Sequence, residues 1–430
     1  MNKLITAIIV GAGHRSLIYA SYALQHPQDF KIVGVVEPDD KRRSNAAAEH
    51  DIPEEHCFKG IEELLAKENP IADAVINGTM DDIHIKTSLP ILRAGYDLLL
   101  EKPIGTNEKQ LNRLLNTAKK YGRKVMVCHV LRHSPFYSNI KKRVANDEIG
   151  DIISIQTEEN VSYHHMAVSY VRGKWNSLKN CHSTMLMAKS CHDLDIITWM
   201  KGGVAPVKVS SFGSLMHFRP EKAPHGAGKR CLVDCEIEST CPYSSKKNYI
   251  EQGLWSFYAW KSIEHISNPT VEQKLESLRT DNPYGRCVWH CDNDVVDHQS
   301  VLIEFEDGST ATHSMVGGAS KPCRTIHLIG TKGEIYGVME DGYYLLRRPN
   351  AKKGHEYIEE RIVVDVVKDS HGGGDLLLVE DFVKVLQGRK PSLSTTTLED
   401  SIYGHLIGFR ADQARLEQST KTIEPLSVFS

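Results

Sequence analysis

Residues 4–10, LITAIIV, run without polar alternation into Gly11-Ala12-Gly13, and this stretch limits the chain's fold more than any other. A short apolar run of this kind reads as a strand buried on both faces. A helical pattern follows over residues 15–24. A buried strand feeding a glycine turn and then a helix start makes a phosphate site. The glycines let backbone come close to a diphosphate, and the helix start offers unpaired N–H groups and a positive dipole end. The pattern is G-x-G-x-x-S: His14 and Arg15 lie inside it, and Ser16 stands at the third glycine position. A second apolar strand, 31–36, ends at Glu37, where an acidic residue would accept from a ribose 2′-OH. A carboxylate there repels a 2′-phosphate and favours NAD, while Arg42 and Arg43 close behind leave NADP open.

Strand and helix then alternate. Helix 41–50 and a short helical piece at 62–67 precede strand 73–77, which ends in Gly78-Thr79-Met80. Helix 84–94 leads to strand 96–100 and Glu101-Lys102-Pro103. Helix 107–121, capped by Asn107, leads to strand 124–130. Apolar strands separated by helices predict a parallel sheet covered on both faces, with its ligand crevice at the strands' carboxyl ends. Those ends carry residues 11–16, Glu37, Thr79, residues 101–103 and residues 129–132. The reading is an α/β Rossmann dinucleotide-binding domain over residues 1–135.

From about residue 150 the character changes. Segments 151–158 and 204–212 alternate as half-buried strands, and 180–200 reads as a helix with a polar middle. Residues 217–250 are rich in Pro, Gly, Cys and Lys and read as a long loop or insertion. Alternating runs at 299–305 and 310–316 flank Asp307-Gly308, a hairpin signal. Runs at 324–330 and 334–339 continue the meander, and 376–386 and 401–417 read as closing helices. The expectation for 136–430 is a substrate-binding α+β domain built on a large, mostly antiparallel sheet, one face open to water or to another subunit.

Lys+Arg 52 against Asp+Glu 55 leaves a net charge of −3, which excludes a footprint for nucleic acid or an anionic membrane. No apolar run reaches the ~18 residues needed to span a bilayer, and a cytoplasmic location is the expectation. The ten cysteines then read as reduced thiols. Cys231, Cys235 and Cys241 sit close together, and a structural zinc is one reading of them and free thiols the other.

Taken together, G-x-G-x-x-S, Thr79 with His84, EKP at 101–103, Arg132 with Pro135, His192 with Asp195, and HGGGD at 371–375 resemble the Gfo/Idh/MocA oxidoreductase family, over nearly the whole chain. That family includes glucose–fructose oxidoreductase and inositol dehydrogenases. The resemblance implies NAD(P)-dependent hydride transfer at a hydroxyl carbon of a sugar, polyol or sugar derivative, and a homodimer or homotetramer formed through the open sheet. It implies cofactor contacts from Gly11, Gly13, His14, Arg15, Ser16, Glu37, Thr79, His84, Glu101, Lys102, His129 and Arg132. The EKP lysine of the family lies beside nicotinamide and substrate, which makes Lys102 that residue. Some relatives hold NAD tightly and cleave glycosides by transient oxidation and elimination. That chemistry and a non-catalytic NAD-binding sensor are the alternative readings.

The residues carry chemistry of their own. A lysine at the end of a buried strand is placed to donate to a sugar hydroxyl. In Lys189-Ser190-Cys191-His192-Asp193-Leu194-Asp195, helical spacing puts Lys189, His192 and Asp193 on one face. His192 can take a hydroxyl proton while hydride leaves the same carbon, and Lys189, a turn earlier, can lower its pKa or bind substrate. In inositol-dehydrogenase-like members an aspartate sits four residues before the histidine, and here that position is Ala188. Tyr163 and His165, and Arg172 and Trp175, follow a strand of the second half and are candidate substrate contacts, with flat faces for sugar rings and a guanidinium fork for hydroxyls or acids. The run HCDNDVVDH at 290–298 is read as pocket lining, a cation site or a polar turn.

Overall fold

The computed structural model describes residues 3–367 and 371–424. Its first sheet holds β1 (Ile5–Val10), β2 (Phe30–Val36), β3 (Cys57–Phe58), β4 (Ala74–Asn77), β5 (Asp97–Leu100) and β6 (Val125–Val127). The order is β3-β2-β1-β4-β5-β6, all parallel, so the topology reverses between β1 and β4 and opens a crevice at their carboxyl ends. Side chains of both faces are buried, which is why these strands do not alternate. Ile8, Val75 and Leu98 enter one core, and Ile5, Ala7, Ile9 and Leu99 the other. The second core is completed from far along the chain, by Leu378, Val379, Phe382 and Val383 of the helix Gly374–Leu386. The helical pattern expected over 15–24 is two pieces, His14–Ala20 and Tyr22–Gln25, with Ser21 between them. Asn107 caps Glu108–Tyr121 by accepting from the Gln110 N–H.

The second sheet holds β7 (Ile152–Ser162), β8 (Pro206–Ser214), β9 (His298–Phe305), β10 (Thr310–Ala319), β11 (Cys323–Gly330), β12 (Glu334–Val338), β13 (Tyr343–Pro349), β14 (Tyr357–Val363) and β15 (Lys421–Thr422). Their order is β14-β13-β12-β11-β7-β10-β9-β8-β15, antiparallel except for the parallel β7–β10 pair. Helices Cys191–Lys201 and Leu398–Glu417 pack together, the first against β7 and the second against β8. The other face exposes Phe212, Leu302, Val316 and Tyr336.

Two segments depart from the reading above. The expected helix 180–200 is broken into Leu178–Cys181, a wide π-type turn Leu186–Ser190, and Cys191–Lys201. The insertion is longer than 217–250. It fills the span between β8 and β9 with turns and short helices such as Ser256–Ala259 and Val271–Arg279, around its own aromatic core of Phe218, Tyr243 and Trp289. Among the described residues no helix is long and apolar enough to cross a membrane.

Candidate active site

The glycine turn is shaped by close approach. Gly11 has φ +80°, and a Cβ there would lie 3.1 Å from the Thr79 amide nitrogen. Ser16, in place of a third glycine, is fully buried and its Oγ has no partner. Room for it comes from Gly78, where a Cβ would sit 2.1 Å from that Oγ. Gly13 precedes the helix with no side-chain cap, so the first-turn N–H groups stay available. A Cβ at Gly13 would meet nothing nearer than the Gly78 carbonyl at 3.9 Å. An open cradle of donors beside a buried carboxylate fits a dinucleotide diphosphate and ribose. That carboxylate is Glu37, whose Oε2 accepts from the Ala12 N–H at 2.8 Å.

The charged and imidazole residues expected to contact cofactor sort differently. Arg15 does not reach into the cradle. Its Nε donates to Glu101 at 3.0 Å, and its other nitrogens hold Tyr19 and Asp375, pinning the glycine helix to β5 and to the late HGGGD stretch. His84 braces two turns, its Nδ1 2.7 Å from the Pro103 carbonyl and its Nε2 3.1 Å from the Thr79 carbonyl. The Thr79 hydroxyl donates to Asn77. His14 lies against the Phe257 ring of the insertion, centroids 4.7 Å apart.

Lys102 follows β5, and its peptide bond to Pro103 is cis. Its Nζ donates to the Ala188 carbonyl at 2.7 Å, joining segments 86 positions apart. Ala188, four residues before His192, thus offers the lysine a backbone oxygen. Beyond it lies His192, 4% exposed, with Nδ1 unpartnered. Its ring is 5.9 Å from that of His129 and 5.6 Å from that of His371. Burial holds the His192 pKa well below the usual imidazole range, and the Lys102 ammonium pushes it further down. The lysine acting on His192 is therefore Lys102. Lys189, expected to do this from one turn earlier, points to Glu159 at 3.1 Å.

Lys189 belongs to a buried ionic group. Arg324 of β11 pairs with Glu159 of β7 and reaches Asp193 at 3.2 Å. Burial raises the Asp193 carboxyl above the usual carboxylate range despite Arg324. Glu159 and Arg324 went unread in the sequence. The available signal was parity: Glu159 falls on the inward side of β7 with Ile155, Thr157 and Val161, a charged residue at a core position.

Two arginines read as ligand contacts are structural pins. Arg132 is 1% exposed and grips Asp195 with two parallel bonds, Nε to Oδ2 at 2.7 Å and Nη2 to Oδ1 at 2.5 Å. His129 lies 3.7 Å from the same carboxylate. Arg132→Ala is expected to destabilise the protein by ~3–5 kcal/mol, because the Asp195 carboxyl would be left buried without its partner. Urea unfolding measures this, and a loss below ~1 kcal/mol would show that the pair does not hold the two domains. Arg172 is 2% exposed, and its fork is filled by the Arg286 and Tyr243 carbonyls, the Tyr249 hydroxyl and the Cys231 thiol.

The remaining candidates lie where the insertion meets the second sheet. His165 stacks on Trp255, centroids 4.0 Å and planes 11° apart. Trp175 and Tyr163 are half-buried, beside Tyr258 and Tyr243. The 290–298 run is a polar turn: Asp297 accepts from the Met216 and His217 amides, Asp294 from the Leu178 amide, and Asp292 pairs with Arg286. Cys231, Cys235 and Cys241 are free thiols. Among the described residues no three His, Cys, Asp or Glu side chains gather as metal ligands. Cys231 faces Arg172, and the Cys241 sulfur accepts from the Tyr243 amide.

Comparison with known proteins agrees with this geometry. Residues 5–129 match the oxidoreductase family's NAD-binding Rossmann fold, and residues 141–415 match its C-terminal alpha/beta domain. The chain is 27% identical over 369 residues to YteT of Bacillus subtilis (strain 168), covering 82% of each. It is 26% identical over 244 residues to inositol 2-dehydrogenase of Corynebacterium glutamicum, covering 56% of this chain and 65% of that one. The solved structure of apo scyllo-inositol dehydrogenase from Lactobacillus casei superposes with a TM-score of 0.64 at 16% identity, over 98% of this chain and 99% of that chain.

Proposed function

This chain belongs to the Gfo/Idh/MocA oxidoreductase family, and on that premise we propose that it is a dehydrogenase acting with NAD on a hydroxyl carbon of a sugar, polyol or sugar derivative. The observation that carries the reading is the Lys102–Ala188 bond, which sets an ammonium at the end of β5 beside the buried His192. Nicotinamide, when bound, supplies the hydride chemistry. The chain's own residues handle the oxygen and its proton. Lys102 uses one N–H on Ala188 and keeps two donors for the substrate oxygen. As that oxygen loses its proton, the nearby ammonium stabilises the growing negative charge. His192 is neutral at pH 7, the form that can accept a proton. Lys189, Asp193, His165, Trp175 and Tyr163 form the substrate side, with Lys189 held by Glu159 so that it keeps a fixed donor direction. The test is NADH formation from a panel of polyols, sugars and sugar acids. Release of an aglycone without NADH would replace this reading by redox-neutral cleavage.

NAD is the preferred cofactor. Glu37 is buried at the end of β2, where a 2′-phosphate would meet its charge. The two arginines that could have received that phosphate are engaged: Arg42 pairs with Glu264 at 2.6 Å, and Arg43 with Asp40 and the Glu37 carbonyl. NADH is expected to bind at least about tenfold more tightly than NADPH, the cost of one unpaired phosphate charge. Titration of protein fluorescence measures both affinities. Equal or tighter NADPH binding would overturn the assignment.

A homo-oligomer is part of the proposal. Phe212 is 78% exposed and Leu302 52% exposed on the uncovered sheet face, and a second copy would bury them. Sedimentation is expected to give a dimer or tetramer of the 48.2 kDa chain. Phe212→Glu with Leu302→Glu should shift it to monomer, and a parent protein that is already monomeric refutes this surface.

A further inference from the structure

We infer that residues 255–264 of the insertion form the second wall of the cofactor site, with Lys261 the cation that meets the diphosphate. This rests on the dinucleotide reading above.

The crevice side of the first sheet has few cations to spare. Arg15 is held by Glu101 and Asp375, Arg42 by Glu264 and Arg43 by Asp40, and the free donors of Lys102 are assigned to the substrate oxygen. The insertion crosses this crevice from the glycine turn to the end of β2. Tyr258 lies within electrostatic reach of Arg15 and Glu101, and Phe257 packs on His14. Further along, Glu264 takes Arg42 through its carboxylate and Lys41 through its carbonyl. The far end is anchored on the second domain, by Trp255 stacked on His165 and by Asn282 donating to the Ala259 carbonyl at 2.9 Å. The segment is thus tied to both domains, with the crevice between.

Lys261 sits in the middle of this span. Its Nζ is 5.7 Å from the Tyr258 ring centroid and has no ion pair or hydrogen bond among the described residues. It bears electrostatically on His14 on one side and on Arg42 and Glu264 on the other. Burial and the Arg42 guanidinium disfavour its charge, Glu264 only partly offsets them, and Arg15 adds to the positive surroundings of His14. An ammonium crowded by cations, on a segment whose Phe257 packs on His14 beside the open glycine cradle, favours an anion between them. A dinucleotide carries its two diphosphate charges at that place.

The test is calorimetry on the full-length protein with NADH, ADP-ribose and adenosine. Lys261→Ala should weaken NADH and ADP-ribose about tenfold, as expected for one charge-assisted contact, and leave adenosine unchanged. Lys261→Arg should recover most of the loss. Glu264→Ala should speed NADH release by about two- to fivefold, the scale of a half-exposed ion pair. An unchanged melting temperature in each variant separates these effects from misfolding. If the parent binds NADH and Lys261→Ala binds it within about twofold of the parent, the inference fails while the cofactor reading stands. If the parent binds neither NADH nor ADP-ribose, the cofactor reading fails and takes this inference with it.

Discussion

Replacing His192 with alanine is expected to lower kcat by about 10²–10⁴-fold, the usual contribution of a positioned general acid–base. NADH affinity should stay within about twofold, because the glycine turn and the Glu37 carboxylate proposed to hold the diphosphate and ribose are left intact. The parent's pH profile carries the second half of the expectation. Oxidation needs the neutral imidazole. Burial and Lys102 place its pKa well below 6.5, so the acid limb of kcat/KM should lie well below that pH, not at it. A His192→Ala enzyme that keeps more than about a tenth of parental kcat would remove His192 from the chemistry. Its neighbours His129 and His371 are the next candidates by position.

Lys102→Met should lower kcat by about 10²–10³-fold, the loss of one donor aimed at developing charge. Methionine keeps much of the length and the apolar stem while removing the bond to Ala188. This variant also tests the coupling directly. Lys102 is the leading charge among those that push the His192 pKa down. Removing it should move the acid limb of the residual activity toward higher pH, in the direction of 6.5. A merely structural lysine would lose stability without moving that limb. Unchanged kcat and an unchanged limb would separate the two residues and dissolve the proposed pair.

Much of this site could be read along the chain because its parts are local. The glycine turn, the acidic end of β2 and the EKP stretch each need only a strand, a turn and the next few residues. The chemistry of the first is mostly backbone, which neighbouring residues constrain. Arginines were harder. Arg15, Arg132 and Arg172 have the same donors as a ligand-binding fork, and each is occupied by partners remote in the chain: Asp375, Asp195 and Tyr249. No spacing rule says whether a guanidinium will find a ligand or a buried carboxylate. The segment 180–200 failed for another reason. Apolar periodicity does not register a π-type turn, and the break at Leu186–Ser190 is what sends Lys189 to Glu159 instead of alongside His192.

Local order along the chain was therefore enough to specify a parallel Rossmann sheet and a mostly antiparallel partner, and to nominate Lys102 and His192 for the proposed chemistry. Buried strands, glycine turns and caps are short-range consequences of side-chain size and backbone hydrogen bonding. Packing alone settled which charges cancel one another. It put Glu159 with Arg324, laid residues 255–264 across the crevice, and set Lys102 rather than Lys189 to act on His192. Electrostatic partnership depends on distance and burial, and both exist only once remote segments have come together.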